Sequence, residues 1–169
     1  MSTVSVIRLP LTFSENAFAY SDFANFAGGT NRFKEIAHYF DHVDTEGILH
    51  GNLVVPENLD NTVAVTVRWL VAFLSARGAT AQLNWEFAFG SYGDADGADP
   101  AAPAETVTQI QQVFNLAAKT MKLGELSLTP GLVLPGKMLR YSLSRRAATN
   151  DNVAEKAILF GPWLRATFI

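Results

Sequence analysis

Apolar and polar residues alternate one for one through most of the chain, in short runs separated by Gly, Pro, Asn and Asp. A period of two marks strands with one buried face. "TVAVTVRWLVAF" places Val63, Val65, Val67, Trp69, Val71 and Phe73 on one face. After the turn "SARGAT", "AQLNWEFAF" does the same with Leu83, Trp85, Phe87 and Phe89. Two such runs around a glycine-bearing turn predict a hairpin. Pairing about Gly78 with Val67 opposite Phe87 sets Trp69 against Trp85 in the core, and Arg68 against Glu86 on the other face. That outer face also carries Ala64, Leu70, Ala72 and Leu74, more apolar than a solvated face needs, so a cover is expected there.

Further strand-like runs are "RFKEIAHYF", "GILHGNLVV" (closed by Pro56 and the turn formers of "PENLDN"), "ELSLTPGLVL", "KMLRYSLSRR" and "AILFGPWLRATFI". In "KMLRYSLSRR", Leu139, Tyr141 and Leu143 oppose Arg140, Ser142 and Ser144. Pro162 in the last run predicts an edge or a bulge. "TVTQIQQVFNLAAKTMKLGEL" reads two ways. Ile110, Val113, Phe114, Ala117 and Met121 follow helical spacing with Gly124 as a C-cap, whereas Thr106, Val107, Thr108 and Ile110 would open a strand. Phe13, Phe18, Tyr20, Phe23 and Phe26, closed by Gly28-Gly29, fit neither period. They predict an irregular arm over residues 1–30 that wraps the chain's own core or docks on a neighbouring subunit. Residues 31–169 then form an all-β domain, a jelly-roll β-sandwich of about eight antiparallel strands.

Composition narrows the function. A chain of 169 residues, 49% hydrophobic, suits one domain with a real core. A net charge of −3 leaves no electrostatic footprint for nucleic acid. The absence of cysteine excludes disulfides and thiol chemistry and fits a reducing compartment. No signal peptide is expected from "MSTVSVIRLPLTF", and no apolar run reaches the length of a membrane span.

Candidate chemistry is sparse. "HYFDH" spaces His38 and His42 four apart, a metal spacing only on a helix, and lacks the Glu of a metalloprotease motif. His50 lacks the second His that a jelly-roll metal enzyme needs two residues on, where Asn52 stands. "DADGAD", from Asp94 to Asp99, has Asp99 where a calcium loop needs glycine. "FGSYG" does not have the glycine spacing of a nucleophile elbow, and no glycine-rich loop opens a helix for phosphate. No metal, cofactor or catalytic set is expected.

"DHVDTEGILHGNLVVPENLDNTVAVTVRW" resembles a family of tailed-bacteriophage virion proteins: an acidic turn, a strand ending near a proline, then an alternating strand ending in Trp. The resemblance continues in "AQLNWEFAF", in "KMLRYSLSRRAATNDNVAEKAILFGPWLRATF" and in "LPLTF". It implies a single jelly-roll domain acting as an oligomeric structural piece of a particle, with strand, loop and strand over residues 106–130. The implied function is a capsid decoration or cement protein, a homotrimer on the capsid surface assembled in the host cytoplasm. Its partner would be the major capsid protein or a neighbouring virion protein, with no nucleic acid or membrane. Phe13, Phe18, Tyr20, Phe23 and Phe26 would dock on the capsid, and Leu70, Ala72 and Leu74 would serve self-association. The alternative is a glycan-binding fibre module presenting the loop around Tyr92.

Overall fold

Period-two burial runs through several strands of the computed structural model, which describes residues 2–11, 13–14, 19–23, 36–42, 47–92, 106–118, 120–146 and 151–169. Eleven strands, and no helix, occur among these residues. They are β1 (Thr3–Arg8), β2 (Phe13–Ser14), β3 (Ala19–Phe23), β4 (Ile36–Phe40), β5 (Gly47–Val54), β6 (Val65–Ala72), β7 (Arg77–Tyr92), β8 (Thr106–Leu116), β9 (Met121–Leu128), β10 (Met138–Arg145) and β11 (Ala157–Phe168).

The strands form two antiparallel sheets packed face to face. One has the order β3-β4-β11-β6-β9, with β1 also on β11; the other has the order β2-β5-β10-β7-β8. Strands β4 to β11 pair as a nested hairpin: β7 with β8, β6 with β9, β5 with β10 and β4 with β11. A long hairpin of this kind, rolled so that alternate pairs fall in opposite sheets, is a jelly roll. The expected fold class is therefore correct.

Two local expectations need correction. Strands β6 and β7 do not form a hairpin: β6 pairs with β11 and β9, whereas β7 pairs with β10 and β8. Their apolar faces meet across the core instead, with the Trp69 and Phe87 rings 4.7 Å apart. Alternation specifies which face is buried, and two buried faces can meet across a sandwich as readily as side by side. Arg68 and Glu86 consequently point out of opposite sheets. Over residues 106–130 the expected strand, loop and strand holds against the helical spacing of Ile110, Val113 and Phe114, because β8 and β9 are strands and the inward positions of β8 include the polar Gln112. Finally, the described residues between 3 and 23 lie largely in strands rather than in an irregular arm. β1 joins β11, β2 joins β5, β3 joins β4, and Leu9, Leu11 and Ala19 lie in the core. Pro162 sits at a bulge within β11, as one of its two sequence readings required.

Trp69 and Trp85 are both fully buried, one from each sheet. Each indole N–H donates to the same atom, Gln112 Oε1, at 3.1 Å. Gly124 lies opposite Trp69 on β9, and a Cβ there would overlap the indole, so only glycine leaves the ring its place. A second polar anchor closes one end of the core. Arg145 continues the inward face of Tyr141 and Leu143 and is fully buried. Its Nε and Nη2 donate to the two Asp151 carboxylate oxygens at 2.7 and 2.9 Å. Nη1 donates to the carbonyls of Glu155 (2.8 Å) and Phe40 (3.2 Å), and Nη2 also donates to that of Val153. All five guanidinium N–H groups are thus used. They tie β10 to β4 in the opposite sheet and to the segment leading into β11.

A third tie fixes the N-terminal segment. The Tyr141 hydroxyl donates to the Pro10 carbonyl at 2.6 Å, and Gly51, opposite on β5, leaves room for it. Burial raises the pKa of this phenol, so it stays a donor.

Two stability predictions follow from these anchors. Gln112→Leu leaves two indole donors buried without an acceptor, at about 1–3 kcal/mol each. Urea unfolding should show a lower midpoint at unchanged slope, corresponding to a loss of about 2–4 kcal/mol. Arg145→Met leaves the Asp151 carboxylate buried and unpaired, and should cost about 3–5 kcal/mol. The double variant Arg145→Met/Asp151→Leu should recover part of that loss in the same assay.

Candidate functional site

The solvent face of the five-stranded sheet is polar over its middle, between Val54 and Met138 at one end and the exposed Val107 and Val113 on β8. Register places Asn52, Arg140 and Gly90 in one row across β5, β10 and β7, and His50, Ser142 and Ala88 in the next. A third row holds Ile48, Ser144, Glu86 and Gln109, and Asn84 lies beside Gln111 beyond it. On the middle strands Ser142, Ser144, Ala88 and Gly90 are small, with the long Arg140 and Glu86 standing among them. Ala88 and Ser144 point away from the core yet are only 7% and 5% exposed. They form the floor of a trough.

Glu86 is held on this trough from two sides, by Arg146 Nη2 at 3.0 Å and by Gln109 Nε2, which donates at 2.8 Å. Planar amides, an imidazole, hydroxyls, a carboxylate and guanidinium groups thus share one surface. Such a set offers many donors and acceptors in fixed directions, with both signs of charge represented.

The solvent face of the six-stranded sheet has a different character. Ala37, Ala72, Ile158 and Phe160 form a second buried cluster on it, with Tyr39, Leu70 and Trp163 packed against them. Beside this cluster Trp163 is half-exposed, and its neighbours across the sheet are Arg8 on β1 and Arg68 on β6. Arg165, two residues further along β11, faces the same way and borders a shallow recess of about 200 Å³ lined also by Val4, Thr66 and Thr167.

The bulge explains why Trp163 faces solvent. Leu159 points into the core, and strict alternation would send Trp163 the same way. The register shifts between Phe160 and Trp163, so Leu164 turns inward and Trp163 outward. Gly161 takes a φ of 101°, which favours glycine, and the Trp163 ring packs close over it.

The residues singled out from the sequence scatter over these surfaces. Ala72 is fully buried within the chain, Leu70 is half-buried, and Leu74 is 50% exposed. The expected cover over Ala72 thus comes from within the chain. Phe13 lies in β2, opposite His50, and Tyr20 and Phe23 lie in β3, opposite Tyr39 and Ile36. Phe18 and Phe26 fall outside the described residues, as does the acidic loop from Asp94 to Asp99. Tyr92 ends β7 opposite Met138.

The three histidines do not converge. His38 lies in strand β4 and His50 on the polar trough, while His42 Nε2 is 4.0 Å from Asp151 Oδ1. Among the described residues no group of three or more His, Cys, Asp or Glu side chains is placed to hold a metal ion. Gln112, Arg145 and Trp163 were missed as positions of interest. For Arg145 the signal was present, because it continues the odd-numbered inward face of β10.

No protein-family model matches the sequence, and no curated protein matches it either. Several solved structures share the strand arrangement. The xylan-binding CBM22-1 domain from Paenibacillus barcinonensis Xyn10C is 11% identical, covering 89% of this chain and 83% of its own, with a TM-score of 0.44. The family 11 carbohydrate-binding module of a Clostridium thermocellum cellulosomal cellulase is 12% identical, covering 96% and 89%, with a TM-score of 0.43. A Clostridium thermocellum endo-xylanase structure with CBM22-1 and GH10 modules is 11% identical over 90% of this chain, with a TM-score of 0.48. This chain spans only 25% of that protein's length. Likenesses at these identities and scores carry nothing about ligand or activity.

Below the bulge, His38 is 2% exposed. Burial lowers its pKa from 6.5 to about 4; a hydrogen bond to the Gly161 backbone opposes this, and the Arg8 charge adds to it. The unfolded chain therefore takes up a proton near pH 6.5 that the folded chain does not accept until about pH 4. This contribution to stability is whole above pH 6.5 and falls as the pH drops toward 4, by about 3 kcal/mol across the span. His38→Gln should flatten the dependence of unfolding free energy on pH within that window, as measured by urea unfolding at successive pH values.

Proposed function

We propose that the protein is a non-catalytic saccharide-binding module, with the polar trough of the five-stranded sheet as its binding surface. One observation carries this reading: the small residues Gly90, Ala88, Ser142 and Ser144 lie low on β7 and β10, with Arg140 and Glu86 rising from the same strands and Asn52, His50 and Gln109 from the strands on either side. A sugar presents hydroxyls that each donate and accept, and side-chain amides, carboxylates and guanidinium groups match them in pairs. A trough along a sheet admits an extended chain of rings, and a surface built on paired strands is fixed before the ligand arrives.

The test is a glycan array of neutral oligosaccharides, followed by calorimetric titration of the best binder. Binding at micromolar to millimolar affinity is expected, and Arg140→Ala or Asn52→Ala should weaken it about tenfold or more, near 1.4 kcal/mol. Failure of every neutral sugar to bind, or unchanged affinity in both variants, sinks the reading.

A second reading is a virion structural protein of the capsid-decoration type, trimeric and seated on a shell. Its specific support is an exposed apolar strip: Leu74, Met121 and Leu123 are 50%, 45% and 50% exposed, and Leu123 and Met121 pair with Leu70 and Ala72. Three copies packing through this strip would cover it. Sedimentation at micromolar concentration that shows a monomer, unchanged by Leu123→Glu, counts against it.

A further inference from the structure

We infer that the solvent face of the six-stranded sheet carries a second binding site, centred on Trp163, for an anionic saccharide: a sugar ring bearing a carboxylate or a sulfate. It does not depend on the trough of the five-stranded sheet, which lies on the other side of the sandwich.

The first support is the shape of the aromatic surface. Trp163 owes its outward direction to the two-residue bulge, and the glycine beneath it lets the ring settle close over the backbone. A half-exposed indole fixed by the sheet is a flat apolar platform, suited to the C–H face of a pyranose ring. Strict alternation would have hidden this ring in the core.

The second support is charge. Arg8 and Arg68 flank Trp163 directly, and Arg165 follows it on the same strand. Cross-strand neighbours stand about 5 Å apart at Cβ, and second neighbours along a strand about 7 Å. That is the reach from the centre of a stacked sugar ring to an acidic substituent at its rim. Arg68 is already neutralised, with Nε 2.6 Å from Glu125 Oε2. Arg8 and Arg165 are exposed, and neither guanidinium has an acidic partner among the described residues. A chain with a net charge of −3 thus gathers, beside its half-exposed indole, two cations that have no acidic partner among the described residues.

Guanidinium groups bind carboxylates and sulfates through paired N–H donors, a geometry that an ammonium does not supply. The apolar platform argues against a free inorganic anion, which would leave Trp163 without a role. An acidic sugar uses both features.

The experiment is a titration of the full chain at about 0.15 M salt, where charges more than about 8 Å apart are largely screened. Oligogalacturonate, dextran sulfate and neutral dextran are the three probes, followed by calorimetry and tryptophan fluorescence. Binding of at least one anionic probe is expected, with no neutral dextran binding that depends on Trp163. The two anionic arms separate a carboxylate from a sulfate ligand. Arg8→Gln and Arg165→Gln should each weaken binding about tenfold. Trp163→Ala should abolish it, and Trp163→Phe should retain part of it. Arg140→Ala, on the opposite face, should leave this affinity unchanged while weakening any neutral sugar in the trough. Binding of neutral dextran that equals the anionic probes and is lost in Trp163→Ala, no binding of either anionic probe, or undiminished affinity in Arg8→Gln/Arg165→Gln overturns the inference. Because the two sites are probed by different variants and ligands, failure here is distinct from failure of the trough.

Discussion

The indole N–H groups of Trp69 and Trp85 share one acceptor, Gln112 Oε1, and through it the two sheets are fixed to each other. Trp69 belongs to β6, whereas Trp85 and Gln112 belong to β7 and β8 of the facing sheet. Apolar packing alone is directionless and would tolerate a slide of one sheet over the other. Two hydrogen bonds converging on a single oxygen have direction, and a slide would break both. Gly124 completes the arrangement by vacating the space that the Trp69 ring occupies. The Arg145–Asp151 pair plays a similar part at one end of the sandwich, with every donor matched. Between these two ties the long aromatic core, with Phe40 against Trp85 and Phe73 against Phe114, fills the interior edge to face.

Because the sheets are locked from within, their outer faces are free to differ. One is polar, with small residues along its middle. The other is apolar and cationic around a bulge. Neither face contributes a large side chain to the main core, so substitutions on them leave the interior ties in place. A sandwich built this way can carry two unlike recognition surfaces at opposite poles.

Much of the fold was legible in the sequence because burial on one face imposes a period of two. The inward residues of β6, β7 and β10 were assigned correctly for that reason. What alternation could not reveal is which strands share a sheet. Val67 and Phe87 face each other in the core whether their strands lie side by side or across from one another, and the structure puts them across. Gln112 misled for a related reason: a polar residue at an inward position erased the period of β8, and the surviving apolar residues happened to fit a helix. The polar trough was only half visible. Arg140, Ser142 and Ser144 were placed on one face, but their alignment with Asn52, His50 and Glu86 depends on nested pairing between residues far apart in the chain. Trp163 was hidden by the bulge, which reverses the phase of its strand midway.

The nesting of strands has a bearing on how the chain acquires its shape. β11 is the last of the eleven strands in order, yet it occupies the middle of the six-stranded sheet, with β1 and β4 along one edge and β6 along the other. Until β11 docks, those three strands have an unfilled slot between them, and their backbone groups lack the partners that β11 provides. β7 with β8 can zip early, since little chain separates them, but the other half of the sandwich must wait. Such late closure of distant pairings slows folding and leaves open edges in the meantime. The chain is therefore most open to sticking to other copies of itself before β11 has docked.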